Sequence, residues 1–108
     1  MPQRLCNASE VSEKGGEFRL TGQNGPVYLM IFRRGERILA YHNVCPHENR
    51  CLNWAPDRFM LDDDGLLICA HHGAVFELEN GLCLQGPCEG KSLRSCAVSV
   101  REGVLWVD

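Results

Sequence analysis

All four histidines of this chain lie in two short segments that also carry cysteine, YHNVCPHENRC at 41–51 and LLICAHHGAVF at 66–76. Any centre that draws donors from both segments must bring them together, and this restricts the admissible folds more than any other feature. The chain holds seven cysteines. An odd number cannot all pair, and the opening MPQRLCNASEV lacks the apolar centre of a secretory signal. The expectation is therefore a cytoplasmic protein in a reducing compartment, where clustered Cys and His read as a metal site before they read as disulfides.

The rest of the chain predicts an all-β domain spanning 1–108. Glycine-containing turns divide it into short strand-like runs. PVYLMIF (26–32) and RILAYHNV (37–44) flank RRGE as a hairpin, and LLIC (66–69) and AVFEL (74–78) flank the second Cys/His segment. Asn80-Gly81 turns the chain into LCLQ (82–85), and CAVSV (96–100) meets VLWVD (104–108) across REG. Only 8–14 suggests a helical turn, with Asn7 or Ser9 as its cap. Short strands with Gly-rich turns point to a small antiparallel sandwich or barrel, with the Cys/His segments at strand ends. The net charge of −3 and the absence of a basic run exclude a nucleic-acid binder, and no apolar run is long enough to span a bilayer.

The candidate donors are Cys45-Pro46-His47, a C-x-H, and Cys69-Ala70-His71-His72, which offers either C-x-H or C-x-x-H. Two thiolates and two imidazoles suit a tetrahedral zinc, or a 2Fe-2S cluster in which histidines replace cysteines on one iron. Zinc sites favour like ligands in close pairs. Here each segment supplies one of each kind, which suits a two-iron cluster clasped between two loops.

C-x-H followed by C-x-x-H, with Gly73 directly after the second histidine, resembles the Rieske iron–sulfur family. Gly86-Pro87-Cys88 resembles that family's proline loop, and the strand-and-turn order agrees over nearly the whole chain. The resemblance implies a Rieske fold with a cluster-binding insertion at approximately 43–88. It implies that Cys45 and Cys69 bind the buried iron, that His47 and His72 bind the outer iron, and that Gly86 and Pro87 cover the cluster. It places His71 where some relatives carry one partner of a loop-clamping disulfide. Cys51 is displaced by one residue from the other partner's place, so that disulfide is not expected. The soluble ferredoxin type follows, as a monomer or weak oligomer.

High-potential members have a serine two residues after the last ligand histidine and a tyrosine two further on. Ala74 and Phe76 stand there, and neither side chain donates a hydrogen bond. The expected potential is therefore low, on the order of −150 mV. The implied function is a one-electron carrier between a flavin reductase and an oxygenase or other acceptor. Other readings are a small electron-transfer subunit of a larger reductase, a zinc-stabilised interaction module and a redox sensor. Catalysis by this chain alone is not expected, because it is too short for a second, mononuclear iron domain.

The stretch between His47 and Cys69 is longer than is usual for ferredoxins of this family. Trp54 and Phe59 are expected to fold back over the cluster, or else to serve docking. Cys6 and Cys96 lie in strand-like runs and read as small buried apolar residues. Cys51, Cys83 and Cys88 read as near-cluster residues, with a regulatory disulfide between two of them as the sharper alternative. His42 is expected at the core or rim of its strand, and Tyr28, Tyr41 and Trp106 read as packing residues.

Overall fold

The computed structural model describes residues 2–46, 52, 53, 55, 58–70 and 73–108. Its ten strands are β1 (Gln3–Asn7), β2 (Gly16–Gly22), β3 (Gly25–Arg34), β4 (Arg37–His42), β5 (Met60–Leu61), β6 (Leu67–Ile68), β7 (Val75–Phe76), β8 (Cys83–Gln85), β9 (Val98–Arg101) and β10 (Val104–Val107). They form three antiparallel sheets, ordered β1-β10-β9, β2-β3-β4 and β5-β6-β7-β8. The all-β expectation holds. Among the described residues the one helical element is a 3-10 turn at Ala8–Glu10, where the Asn7 N–H donates to Glu10 Oε2 at 2.7 Å. No helix among them is long and apolar enough to cross a membrane.

The central sheet explains the unbroken apolar run LMIF at 29–32. Side chains alternate across a strand, so a strand buried on both faces needs no polar positions. Leu29 and Ile31 of β3, with Ala40 of β4, face one core, completed by Cys6, Val11 and Leu105 from the β1-β10-β9 side. Met30, Phe32, Leu39 and Tyr41 face the opposite core, shared with Leu52, Leu67, Cys69, Ala74, Phe76, Cys83 and Cys88. The β2-β3-β4 sheet is thus the middle layer, and the four-stranded sheet rests on its second face. The Tyr41 hydroxyl donates to the Leu78 carbonyl and ties the two together.

Two strands lie outside the sequence expectations, whereas β1 falls on the strand-like run that holds Cys6. β2 pairs with β3 along its whole length. β5 is two residues long and shows no period. Tyr28 does not pack as expected: it points outward from β3 and is 46% exposed. Cys6 is buried, whereas Cys96 is half-buried outside any strand.

Candidate metal centre

Each of the two Cys/His segments is tied to the scaffold by its backbone. The second segment leaves β6 at Cys69 and returns at Ala74. The Cys69 N–H donates to the Ala74 carbonyl at 2.8 Å, and the Gly73 N–H donates to the Cys69 carbonyl at 3.0 Å. These bonds close a tight loop at the head of the β6–β7 hairpin. The reversal takes Gly73 to φ +72°, a left-handed conformation that glycine adopts at little cost. The first segment leaves β4 at His42 and passes through Asn43 to Cys45. Cys45 and Cys69 are 2% and 1% exposed and share one core. Neither is in a disulfide.

Two buried amides that the sequence analysis did not single out anchor the first segment. Asn43 is 3% exposed and Asn53 is 8% exposed. Asn43 Oδ1 accepts from the Leu52 N–H at 2.8 Å. Its Nδ2 donates to Asn53 Oδ1 at 2.9 Å and to Glu17 Oε2 at 2.6 Å. Asn53 Nδ2 in turn donates to the Ala55 carbonyl at 3.0 Å. Asn43 therefore clamps the chain before Cys45 to the chain at Leu52, closing the intervening loop at its base. The Ala70 N–H reaches the Leu52 carbonyl at 3.2 Å, which joins that base to the second loop. An asparagine beside a ligand candidate carries no periodic signal, and only its burial exposes the role.

The proline-containing loop lies over the second loop. Gly86 sits so close to it that a Cβ there would fall 2.8 Å from Ala74 Cα, and its φ is +104°. Only glycine fits both demands. Gly86 and Pro87 are exposed while Cys88 beneath them is buried. Cys88 Sγ donates to Cys83 Sγ at 3.2 Å, and Cys83 Sγ donates to the Gln85 carbonyl at 3.2 Å. The Cys88 thiol is pushed up to about 12, first by burial and then by the neighbouring Cys83 and Cys45 sulfurs. The third loop thus touches both of the others, at Ala74 and at Cys45.

His47, His71 and His72 lie outside the described residues, as do Cys51, Trp54 and Pro56. Among the described residues no three Cys, His, Asp or Glu groups gather as a metal-binding set. Of the four expected donors, only the two cysteines are described. They fit an iron site in that a buried thiolate requires a cation beside it. Phe59 turns inward and packs edge-on against Phe32, with ring centroids 5.3 Å apart at 68°. It is a core aromatic and not a docking one. The acidic turn at 62–64 is also structural: Asp62 Oδ1 accepts from the Asp64 and Leu66 N–H groups, each at 2.9 Å. His42 is half-buried at the end of β4, its imidazole pKa lowered by burial and by Arg94.

The family model for the Rieske [2Fe-2S] domain matches residues 1–101. The chain belongs to this family. Its cofactor is accordingly a Rieske-type 2Fe-2S cluster and not zinc. Ferredoxin CarAc of Metapseudomonas resinovorans is 28% identical over 104 residues, which cover 96% of this chain and 90% of that protein. A solved complex of reduced oxygenase and oxidised ferredoxin in carbazole 1,9a-dioxygenase matches with a TM-score of 0.71 and 26% identity, over 98% of this chain and 91% of the matched one. Dicamba monooxygenase shares the fold at a TM-score of 0.74 and 23% identity over 99% of this chain, which spans only 31% of that enzyme chain. Over nearly its whole length this Rieske chain is similar to ferredoxins, which are electron carriers.

Proposed function

We propose that this protein is a soluble, cytoplasmic, low-potential Rieske ferredoxin that takes electrons from a flavin reductase and delivers them to an oxygenase. The observation that carries the reading is the pair of buried thiols, Cys45 and Cys69, on two tied loops beneath a third loop whose Gly86 rests on Ala74. Relatives named as ferredoxins, one of them from a complex with its oxygenase, support the choice of acceptor.

Residues 43–88 serve as the cluster-binding insertion. Within it Cys45 and Cys69 would hold one iron through their sulfurs, and His47 and His72 would hold the other through imidazole nitrogens. When bound, the cluster supplies a site that accepts and releases one electron. The protein's own contribution is to keep water away and to fix the ligand loops. Leu52, Leu67, Ala74 and Phe76 around the two thiols are fully buried, and Gly86 and Pro87 form the outer cover. Ala74 and Phe76 bring no hydroxyl donor to this core, so nothing from these two side chains stabilises the extra negative charge of the reduced state. A potential on the order of −150 mV follows.

Low-temperature electron paramagnetic resonance on dithionite-reduced protein, with iron and zinc measured on the same sample, tests the reading. A rhombic signal with average g below that of all-cysteine clusters and about two irons per chain is expected. A silent sample with zinc in place of iron refutes it. A voltammetric midpoint above about +100 mV refutes the low-potential assignment alone.

A further inference from the structure

Cys83 and Cys88 are not needed as ligands, yet they are among the most deeply buried residues, at 2% and 1% exposure. Their sulfurs stand 3.2 Å apart, with Cys88 donating to Cys83. The two residues bracket the loop Leu84–Pro87, whose four members are all exposed. The loop's base is already drawn together by the backbone. The Cys83 N–H donates to the Lys91 carbonyl at 2.8 Å, the Gly90 N–H to the Cys83 carbonyl at 3.1 Å, and the Lys91 N–H to the Cys88 carbonyl at 2.9 Å. The two side chains are therefore held face to face by bonds that do not involve sulfur.

We propose that Cys83 and Cys88 form a reversible redox dithiol, closing to a disulfide that staples the loop over the cluster when the protein meets a hydroperoxide. Bond formation needs the sulfurs to approach from 3.2 Å to about 2.0 Å, a shift that side-chain rotation and a small backbone adjustment supply. The chemistry balances in two steps. The hydroperoxide O–O bond breaks as Cys83, the sulfur that accepts the Cys88 S–H, takes an oxygen and becomes a sulfenic acid, releasing water or an alcohol. The second thiol then attacks that sulfur: the S–S bond forms, the S–O bond breaks and water leaves with the second thiol's proton. Two electrons pass from the two sulfurs to the peroxide, and an external dithiol returns them by exchange. This pair is not the loop-clamping disulfide that some relatives carry, which joins two different loops. The staple instead lies within the third loop, at the sulfur that neighbours Cys45. The inference stands apart from the identity of the electron donor and acceptor.

The test treats the iron-loaded protein with a few equivalents of hydrogen peroxide, blocks free thiols by alkylation and maps peptides without reduction. The expected result is a loss of two hydrogen masses confined to the peptide that joins Cys83 and Cys88, restored by dithiothreitol. In Cys88→Ser that product is absent, and Cys83 proceeds instead to sulfinic acid. Two alkylated thiols in an oxidised wild-type sample overturn the proposal, as does pairing of either cysteine with Cys45 or Cys69. Iron content and resonance spectra of the same sample keep the questions separate. A cluster-free protein refutes the electron-carrier reading, whereas a loaded protein with two free thiols refutes the dithiol alone.

Discussion

Replacing Asn43 by leucine removes the clamp at the base of the first ligand loop while leaving a side chain of nearly the same size. Three hydrogen bonds disappear: Leu52 N–H to Oδ1 at 2.8 Å, Nδ2 to Asn53 at 2.9 Å and Nδ2 to Glu17 at 2.6 Å. Leu52 is fully buried, so its amide gains no water in exchange. An unsatisfied buried amide costs about 1–3 kcal/mol and a charge-assisted bond contributes about 1.5–3 kcal/mol, which together suggest a loss of about 4 kcal/mol. That is a large share of the roughly 5–15 kcal/mol typical of a domain's total stability. Urea unfolding of the apo protein reads the loss directly, and iron per chain after purification reads its consequence for the site. Asn43→Asp is the control, because it keeps an acceptor for Leu52 while losing both donors. It should fall between the wild type and Asn43→Leu, because the Leu52 amide keeps its acceptor. A loss below about 1 kcal/mol in Asn43→Leu, with full iron content, would show that the loop base is held by something other than this amide.

Gly86→Ala should destabilise the protein by about 1–3 kcal/mol and speed cluster loss to a chelator, since a Cβ would meet the Ala74 backbone at 2.8 Å in a left-handed conformation; chelator kinetics equal to wild type would refute the contact. His42 should make stability fall in acid. Its folded pKa lies below the ordinary 6.5, so below that pH the unfolded chain binds a proton that the folded chain refuses. The contribution is complete above 6.5 and is lost as the pH drops through the folded value. Urea midpoints of wild type and His42→Gln at pH 5 and 7.5 should therefore converge or cross in acid, and parallel curves would assign the pH dependence elsewhere.

Much of the chemistry was legible in the sequence because metal donors are rare residues at fixed spacing. Cys45 and Cys69 share one buried core, and Gly73 and Gly86 take the positive φ that glycine adopts readily. The hairpins around 35–36, 80–81 and 102–103 were legible for a related reason, since glycine at a turn leaves few alternatives. What escaped was whatever depends on a partner distant in sequence. β2 is short and bounded by glycines, with only Phe18 and Leu20 as apolar positions, and its register is set by β3, which pairs with it from Gly16↔Ile31 to Gly22↔Gly25. Asn43 and Asn53 look like ordinary loop residues until burial shows that their amides take the place of water. Tyr28 was misplaced because β-propensity marks a strand and does not say which of its faces a neighbouring layer will cover. Phe59 packs on Phe32 against the core that holds Cys45 and Cys69, so of the two expectations it follows folding back and not docking.

The middle sheet has a bearing on how such a protein is made. β2, β3 and β4 follow one another in the chain and pair through hairpins, so their assembly requires only local loop closure. One of their faces is covered by β1, β9 and β10 without any contribution from the ligand loops. That half can therefore assemble once β9 and β10, the last strands of the chain, are free to fold, and it holds its shape before iron arrives. The newborn chain would then meet the iron-delivery machinery as a finished base with an open upper half, and loading would complete the molecule rather than begin it.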